Sequence, residues 1–241
     1  MRLGWLGILL LCCCSLVNAA PSGAPSQIQL VSEVWPKHTN ANGTGLVWDV
    51  LQQVFAPLGI KVQIRNEPYS RALGLALRGQ ADAVVGLYHQ EIEGLVYPRW
   101  PYAEDAVTAL GLARLPVPSV KTLANYRLLW MRGYGFQNYL PGLSNYREVQ
   151  RRDGVIAMLH EGRADYFIDD DDELNGMLAS VPDPEVFRLS PLQYLSLYIA
   201  FAQTADGRAL AKLYDQRMDV LVHSGQLRAI FQRWNDHYPY D

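Results

Sequence analysis

Apolar positions along this chain follow two periods. Short aliphatic runs at 28–32, 62–64 and 83–85 read as buried strands. Between them Val47, Val50, Leu51, Val54 and Leu58 recur at helical spacing over 45–57, stopped at Gly59, and a shorter helix over 71–78 is closed by Gly79. Strand and helix in alternation predict a parallel sheet. The pattern resumes with a strand at 128–131, a helix over 147–160 and a strand at 166–168, while extended apolar stretches at 107–113 and 195–201 read as crossovers on either side of this second unit. A long helix over 206–222, a Ser224-Gly225 break and a last helix carrying Leu227, Ile230, Phe231 and Trp234 are expected to pack back on the first unit.

One segment occurs twice. Gly79 is followed three residues later by Asp82 and an apolar run ending at Gly86; Gly162 is followed by Asp165 and an apolar run ending at Asp169. In each copy the glycine can end a helix in the left-handed conformation, and the run after the aspartate reads as a strand. Ligands of open α/β sheets lie beyond the carboxyl ends of strands, so Gly86-Leu87-Tyr88 and Asp169-Asp170-Asp171 are candidates for two walls of one cleft.

The net charge of −3 over 241 residues and the scatter of basic residues exclude an electrostatic footprint for nucleic acid. Arg151-Arg152 is the single adjacent basic pair and reads as a solvated helix face. The five histidines lack metal-ligand spacing, and no phosphate loop or nucleophile elbow is present, so no cofactor, no metal and no catalytic role are expected. Arg2, an apolar run over 6–17 and Ala19-Ala20 match a cleavable signal over 1–19, which predicts a periplasmic protein. Cys12, Cys13 and Cys14 all fall in it, leaving no thiol for a disulfide afterwards; a lipid anchor is not expected, because no small residue precedes a cysteine there.

The ordered set of signals resembles the extracytoplasmic solute-binding proteins of family 3, the polar amino acid type. It comprises Trp35-Pro36 after the first strand, Asn42-Gly43 with Gly45 before the helix, Leu58-Gly59, the Gly79–Gly86 segment, the tyrosine-rich stretch 97–102, Gly133-Tyr134-Gly135, the second glycine–aspartate segment and Gly225-Gln226-Leu227 through Trp234. The resemblance implies an α/β fold, a two-lobed periplasmic-binding-protein clamp of type II-like form. Each lobe is a mostly parallel sheet flanked by helices, with the ligand cleft between; lobe one takes 27–112 with 200–241 and lobe two 113–199. It also implies a monomer that binds a small polar solute, amino acid-like or zwitterionic, and presents it to an inner-membrane ABC permease or a sensor.

Two positions depart from the family. Where it has a threonine and then the arginine that grips a carboxylate, this chain has Tyr88 and Glu93. Arg71, then Arg132, then Arg99 are the candidate substitutes. Asp170 matches the family's ammonium-binding aspartate, with Asp169 beside it, and Asp171 and Asp172 read as caps of a helix starting near Glu173. Trp35, Tyr69, Gly86, Tyr88 and Tyr134 complete the expected binding set; Trp100 and Tyr102 are further aromatic candidates, whereas Trp48, Trp130, Phe231 and Trp234 read as core. His89 lies close by and is expected to face water. Alternatives that the resemblance leaves open are an exported dehydratase of the cyclohexadienyl type, with Glu93 or Asp170 and Arg71 in catalytic roles, and a degenerate clamp serving interaction or signalling.

Overall fold

A computed structural model describes residues 25–241; the expected signal over 1–19, with its cysteines, lies outside the described residues. The chain begins with strand β1 (Gln27–Ser32), helix α1 (Leu46–Phe55), β2 (Lys61–Asn66), α2 (Tyr69–Leu77) and β3 (Ala83–Tyr88). After the short β4 (Leu95–Val96) comes the long β5 (Ala103–Leu112). The second unit contains β6 (Leu128–Met131), β7 (Tyr146–Val149), α3 (Val155–His160), β8 (Tyr166–Asp170) and α4 (Asp171–Leu178). Strand β9 (Phe187–Ala202) returns the chain to α5 (Ala205–His223) and α6 (Arg228–Trp234).

The strands follow one hydrogen-bonded path, β2-β1-β3-β9-β5-β8-β6-β7, with β4 also on β9. Its halves mirror one another. In the first, β1 pairs in parallel with β2 and β3; in the second, β6 pairs in parallel with β7 and β8. Strands β5 and β9 run antiparallel to each other between the halves, with a register shift between Val107 and Thr108. Both crossovers are longer than the sequence reading: Glu104 and Asp105, which interrupt the apolar run of the first, still occupy ladder positions opposite Ser196 and Leu195, and the polar Arg188, Ser190 and Gln193 of the second pair with Gly111, Ala109 and Val107.

The repeated segment supplies the same part to each half. Gly79 (φ 64°) and Gly162 (φ 69°) are left-handed ends of α2 and α3. Asp82 Oδ2 accepts from the Gln29 N–H at 2.7 Å, and Asp165 Oδ2 accepts from the Arg127 N–H at 2.7 Å. Each aspartate thus ties the strand it precedes to the start of that half's central parallel strand.

Helix α1 buries Val47, Val50, Leu51 and Val54 and packs against α5 and α6, as the apolar periodicity predicts. Trp48, Trp130 and Phe231 lie in the core, and Trp234 packs against it with its indole N–H on Asp49. Among the described residues no helix is long and apolar enough to cross a membrane.

Three boundaries differ from the sequence reading. The expected helix over 147–160 is instead an edge strand, β7, and a six-residue helix. Val149 completes the pairing with Met131, and Gly154 at φ 83° breaks the backbone before Val155. Helix α2 starts at Tyr69, two residues early, because Pro68 sets the entry backbone and its carbonyl accepts from Arg71 and Ala72. Helix α4 starts at Asp171, and its cap is Asp170, whose carboxylate accepts from the Asp172 N–H at 2.9 Å.

Candidate functional site

The carboxyl ends of parallel strands from both halves open on one cleft. The loop after β1 brings Trp35 and His38, the first turn of α2 brings Tyr69, and β3 with its following turn brings Gly86, Tyr88 and Glu91. From the opposite half come Tyr134 and Phe136 after β6, Asp169 and Asp170 at the end of β8, and Glu173 in the first turn of α4. Tyr102, Asp105 and Leu197 come from the crossovers. The enclosed space between these side chains is about 50 Å³, so the two halves stand close together in this structure.

Local structure explains why the rings sit there. Thr39, fully buried, accepts from the Trp35 N–H at 3.0 Å and donates to the Glu33 carbonyl, which folds 33–39 into a fixed loop. Glu33 accepts from the Tyr69 N–H at 2.9 Å and so satisfies the open end of α2. The six-membered ring of the Trp35 indole lies against Gly86: a Cβ at that glycine would stand 2.4 Å from the ring, and φ is 92°. Gly86 is therefore a cleft residue by what it lacks. Its N–H donates to the Tyr102 hydroxyl at 2.8 Å. Trp35 and Tyr69 sit 6.0 Å apart, and Tyr69 meets Tyr134 of the other half edge-on at 6.1 Å.

Of the nine expected binding residues, Trp35, Tyr69, Gly86, Tyr88, Tyr134, Asp169 and Asp170 line the cleft. Arg71 and Arg132 do not. Arg71 is 64% exposed and pairs with Glu67, one turn back on its own segment; the early start of α2 turns it out of the strand end. Arg132 is exposed, held by its N–H to the Val149 carbonyl. Arg99 is also outside, paired with Asp219 beside Trp100. Glu93 and His89 are exposed, and Asp171 bonds Asn175 instead of entering the cleft.

The arginine that does reach the site is Arg152, the residue expected on a solvated helix face. It precedes α3, and its side chain is 19% exposed. Its guanidinium donates to Asp169 at 2.8 and 3.2 Å and to the Tyr134 hydroxyl at 3.0 Å, and lies 3.2 Å from Glu173. Burial opposes its charge, but Asp169, Tyr134 and Glu173 more than offset that and hold its pKa above the usual value.

Sequence reasoning also missed His38, Glu91, Asp105, Phe136 and Glu173. Glu91 accepts from the Tyr69 hydroxyl at 2.7 Å and the Tyr88 N–H at 2.9 Å; Asp105 accepts from the Tyr88 hydroxyl at 2.7 Å. A signal for Asp105 was present, since it shares a strand face with Val107 and Ala109, both buried. His38 is spatially grouped with Asp170 and Asp172 although 132 residues separate it from the first of them; Lys37 joins it on Asp172.

The electrostatics are those of a crowded acidic cleft. Burial raises Glu91 to about 7 against its two hydrogen bonds, and raises Glu173 to about 7 against the pull of Arg152. Asp105 moves up through burial and the facing Asp170, Asp170 moves up through burial against His38, and Asp169 moves up through burial against Arg152. His38 is raised to about 9: burial opposes its charge, and Asp172, Asp170, Asp236 and Asp105 outweigh it.

No family model matches the chain, and no curated protein sequence matches it. Solved structures do. A histidine kinase sensor domain with similarity to periplasmic binding proteins superposes with a TM-score of 0.71 at 15% identity, over 87% of this chain and 96% of that one. The GluR0 ligand-binding core in complex with L-glutamate gives 0.70 at 17% identity, over 86% and 97%. An amino acid ABC transporter substrate-binding protein from Streptococcus pneumoniae, bound to L-arginine, gives 0.65 at 15% identity, over 87% and 94%. What these share with the chain is the α/β clamp fold of periplasmic binding proteins.

Proposed function

We propose that the protein is an extracytoplasmic solute-binding clamp that closes on a small polar solute and hands it to an ABC-type importer or a sensor. The observation that carries this is the two-sided cleft. Trp35, Tyr69, Tyr88 and Glu91 face Tyr134, Asp169 and Glu173 across it, and the halves touch through Trp35 Nε1 to the Tyr134 hydroxyl at 3.3 Å and through Lys37 and His38 on Asp172. Contacts made to both halves only when closed are what convert binding into closure. The lobes in this reading are 27–112 with 200–241, and 113–199; the leader over 1–19 directs a monomer to the periplasm.

The dehydratase alternative is disfavoured by the same geometry. An anionic acid entering this cleft meets Glu91, Asp105, Asp169, Asp170 and Glu173, while Arg71 and Arg132 point elsewhere. Burying a carboxylate among carboxylates costs several kcal/mol by the general rule for unpaired charge, roughly 3–5.

A thermal-shift screen of the protein against amines, amino acids, sugars and organic acids tests the reading. At one hundred times its dissociation constant a solute stabilises by about 2.7 kcal/mol. The expected result is a selective hit that is recovered chemically unchanged. Conversion of the hit, or uniform silence, contradicts the proposal.

A further inference from the structure

We propose that the solute is an organic cation without a carboxylate group, an alkylamine or diamine, held by the cleft acids and stacked between rings of both lobes. The inference rests on the clamp reading and narrows it to a ligand class.

Three observations carry it. The first is charge. Glu91, Asp105, Asp169, Asp170 and Glu173 line the cleft, and the cationic groups in contact with them are His38 and Arg152. Even with both of those charged, the acidic groups outnumber them by three, five to two. Among the described residues no lysine or arginine pairs with Glu91, Asp105 or Asp170. Unpaired buried carboxylates are costly, and an incoming ammonium relieves that cost.

The second observation concerns what a carboxylate would need. An amino acid ligand requires a free cationic fork for its carboxylate. Arg152 is the guanidinium that touches the cleft acids, and its Nε–Nη2 fork, the edge that grips a carboxylate bidentately, is already occupied by Asp169, with Glu173 and the Tyr134 hydroxyl sharing the same two nitrogens. Recruiting it to a ligand carboxylate would strip Asp169, 0% exposed, of its counter-ion. Neither Arg71 nor Arg132 reaches the site.

The third is the rings. Trp35, Tyr69 and Tyr88 come from one half and Tyr134 from the other, so a cation between them meets aromatic rings on both sides of the closure. A divalent metal fits less well. The candidate ligands His38, Asp170 and Asp172 gather at one corner, where Lys37 already supplies Asp172 with a positive charge.

Paired probes that differ only in the carboxylate test the inference: agmatine against arginine, putrescine against ornithine, cadaverine against lysine, each titrated calorimetrically into the purified protein. The expected result is that at least one amine binds tenfold or more tighter than its parent amino acid. Asp105→Asn and Asp170→Asn should each weaken that amine at least tenfold while the protein keeps a single cooperative thermal transition. An amino acid that binds as tightly as its amine overturns the inference but keeps the clamp. Silence of all amines, with an anion or sugar binding instead, does the same. Silence toward every solute overturns both, and so does stabilisation by zinc or calcium alone that disappears in His38→Gln.

Discussion

The Arg152 guanidinium bonds the fully buried Asp169 at 2.8 Å, and that pair closes the back of the cleft. It makes the arginine structural in service of the site, a counter-ion for the cleft acid and not a hand for the ligand. Arg152→Leu should therefore destabilise the protein by about 3–5 kcal/mol, because Asp169 is left buried and uncompensated. Urea denaturation reads this, and Asp169→Asn in the Arg152→Leu background should return part of the loss. Wild-type stability in the single variant would contradict the pairing.

Arg71 and Arg132 predict the opposite. Arg71 is mostly exposed with only Glu67 as partner, and exposed pairs contribute at most about 1 kcal/mol. Arg71→Ala and Arg132→Ala should leave ligand affinity within twofold of the parent. A hundredfold loss in either would restore an arginine clamp.

Gly86 makes room for Trp35, and alanine there meets both the indole, 2.4 Å from the new Cβ, and a backbone at φ 92°. The backbone part costs about 1–2 kcal/mol, and displacing the ring should weaken binding of an aromatic-stacked ligand as well. In a Trp35→Ala background only the backbone part should remain. Equal cost in both backgrounds would mean that ring and glycine are not coupled.

The pH dependence follows from the cleft acids and their neighbours. Glu91, facing Tyr69, Tyr88 and Tyr97, and Glu173, facing Arg152, Asp169 and Asp170, are both raised to about 7 from an ordinary carboxylate value. The folded protein thus retains protons that the unfolded chain has released, so ligand-free stability falls as pH rises from about 4 to 7. His38, raised to about 9 by Asp172, Asp170 and Asp236, adds stability that is present below pH 6.5 and lost as pH rises through 9. A bound cation favours the ionised acids, so affinity should increase between pH 5 and 8 with protons released on binding. Calorimetry in buffers of different ionisation heat measures that release. Proton uptake would contradict the sign.

Much of this architecture was legible because it is written in local patterns. The glycine–aspartate repeat at Gly79–Asp82 and Gly162–Asp165 appears in adjacent letters, and each copy performs the same strand-tying in the fold. Trp35, Tyr69, Gly86, Tyr88 and Tyr134 were findable because each lies beside a strand end or turn that the apolar period marks. Arg152 was not, since its role depends on a strand, β7, that four residues of weak pattern had concealed inside an expected helix. Glu91, Asp105 and His38 were missed for a related reason. Glu91 and Asp105 bond Tyr69 and Tyr88 within their own half, contacts of side-chain direction that the apolar period does not mark, whereas His38 meets Asp172, 134 residues away, only because the two halves come together. Position along the chain carries no trace of that contact. The reading of Arg71 failed at a single boundary, Pro68, which starts α2 early and turns the arginine to solvent.

The central claim is that two halves close on one organic cation, and distance between them tests it most directly. Expressed from Ala20 onward the chain has no cysteine, so Leu77→Cys in α2 and Val117→Cys beyond β5, both at exposed positions, accept a donor and an acceptor dye without competition. Saturating amine should shift the transfer efficiency to a single closed value, and the parent amino acid at the same concentration should leave it unchanged. Closure by the amino acid with no response to the amine, or a distance that no solute alters, would contradict the account.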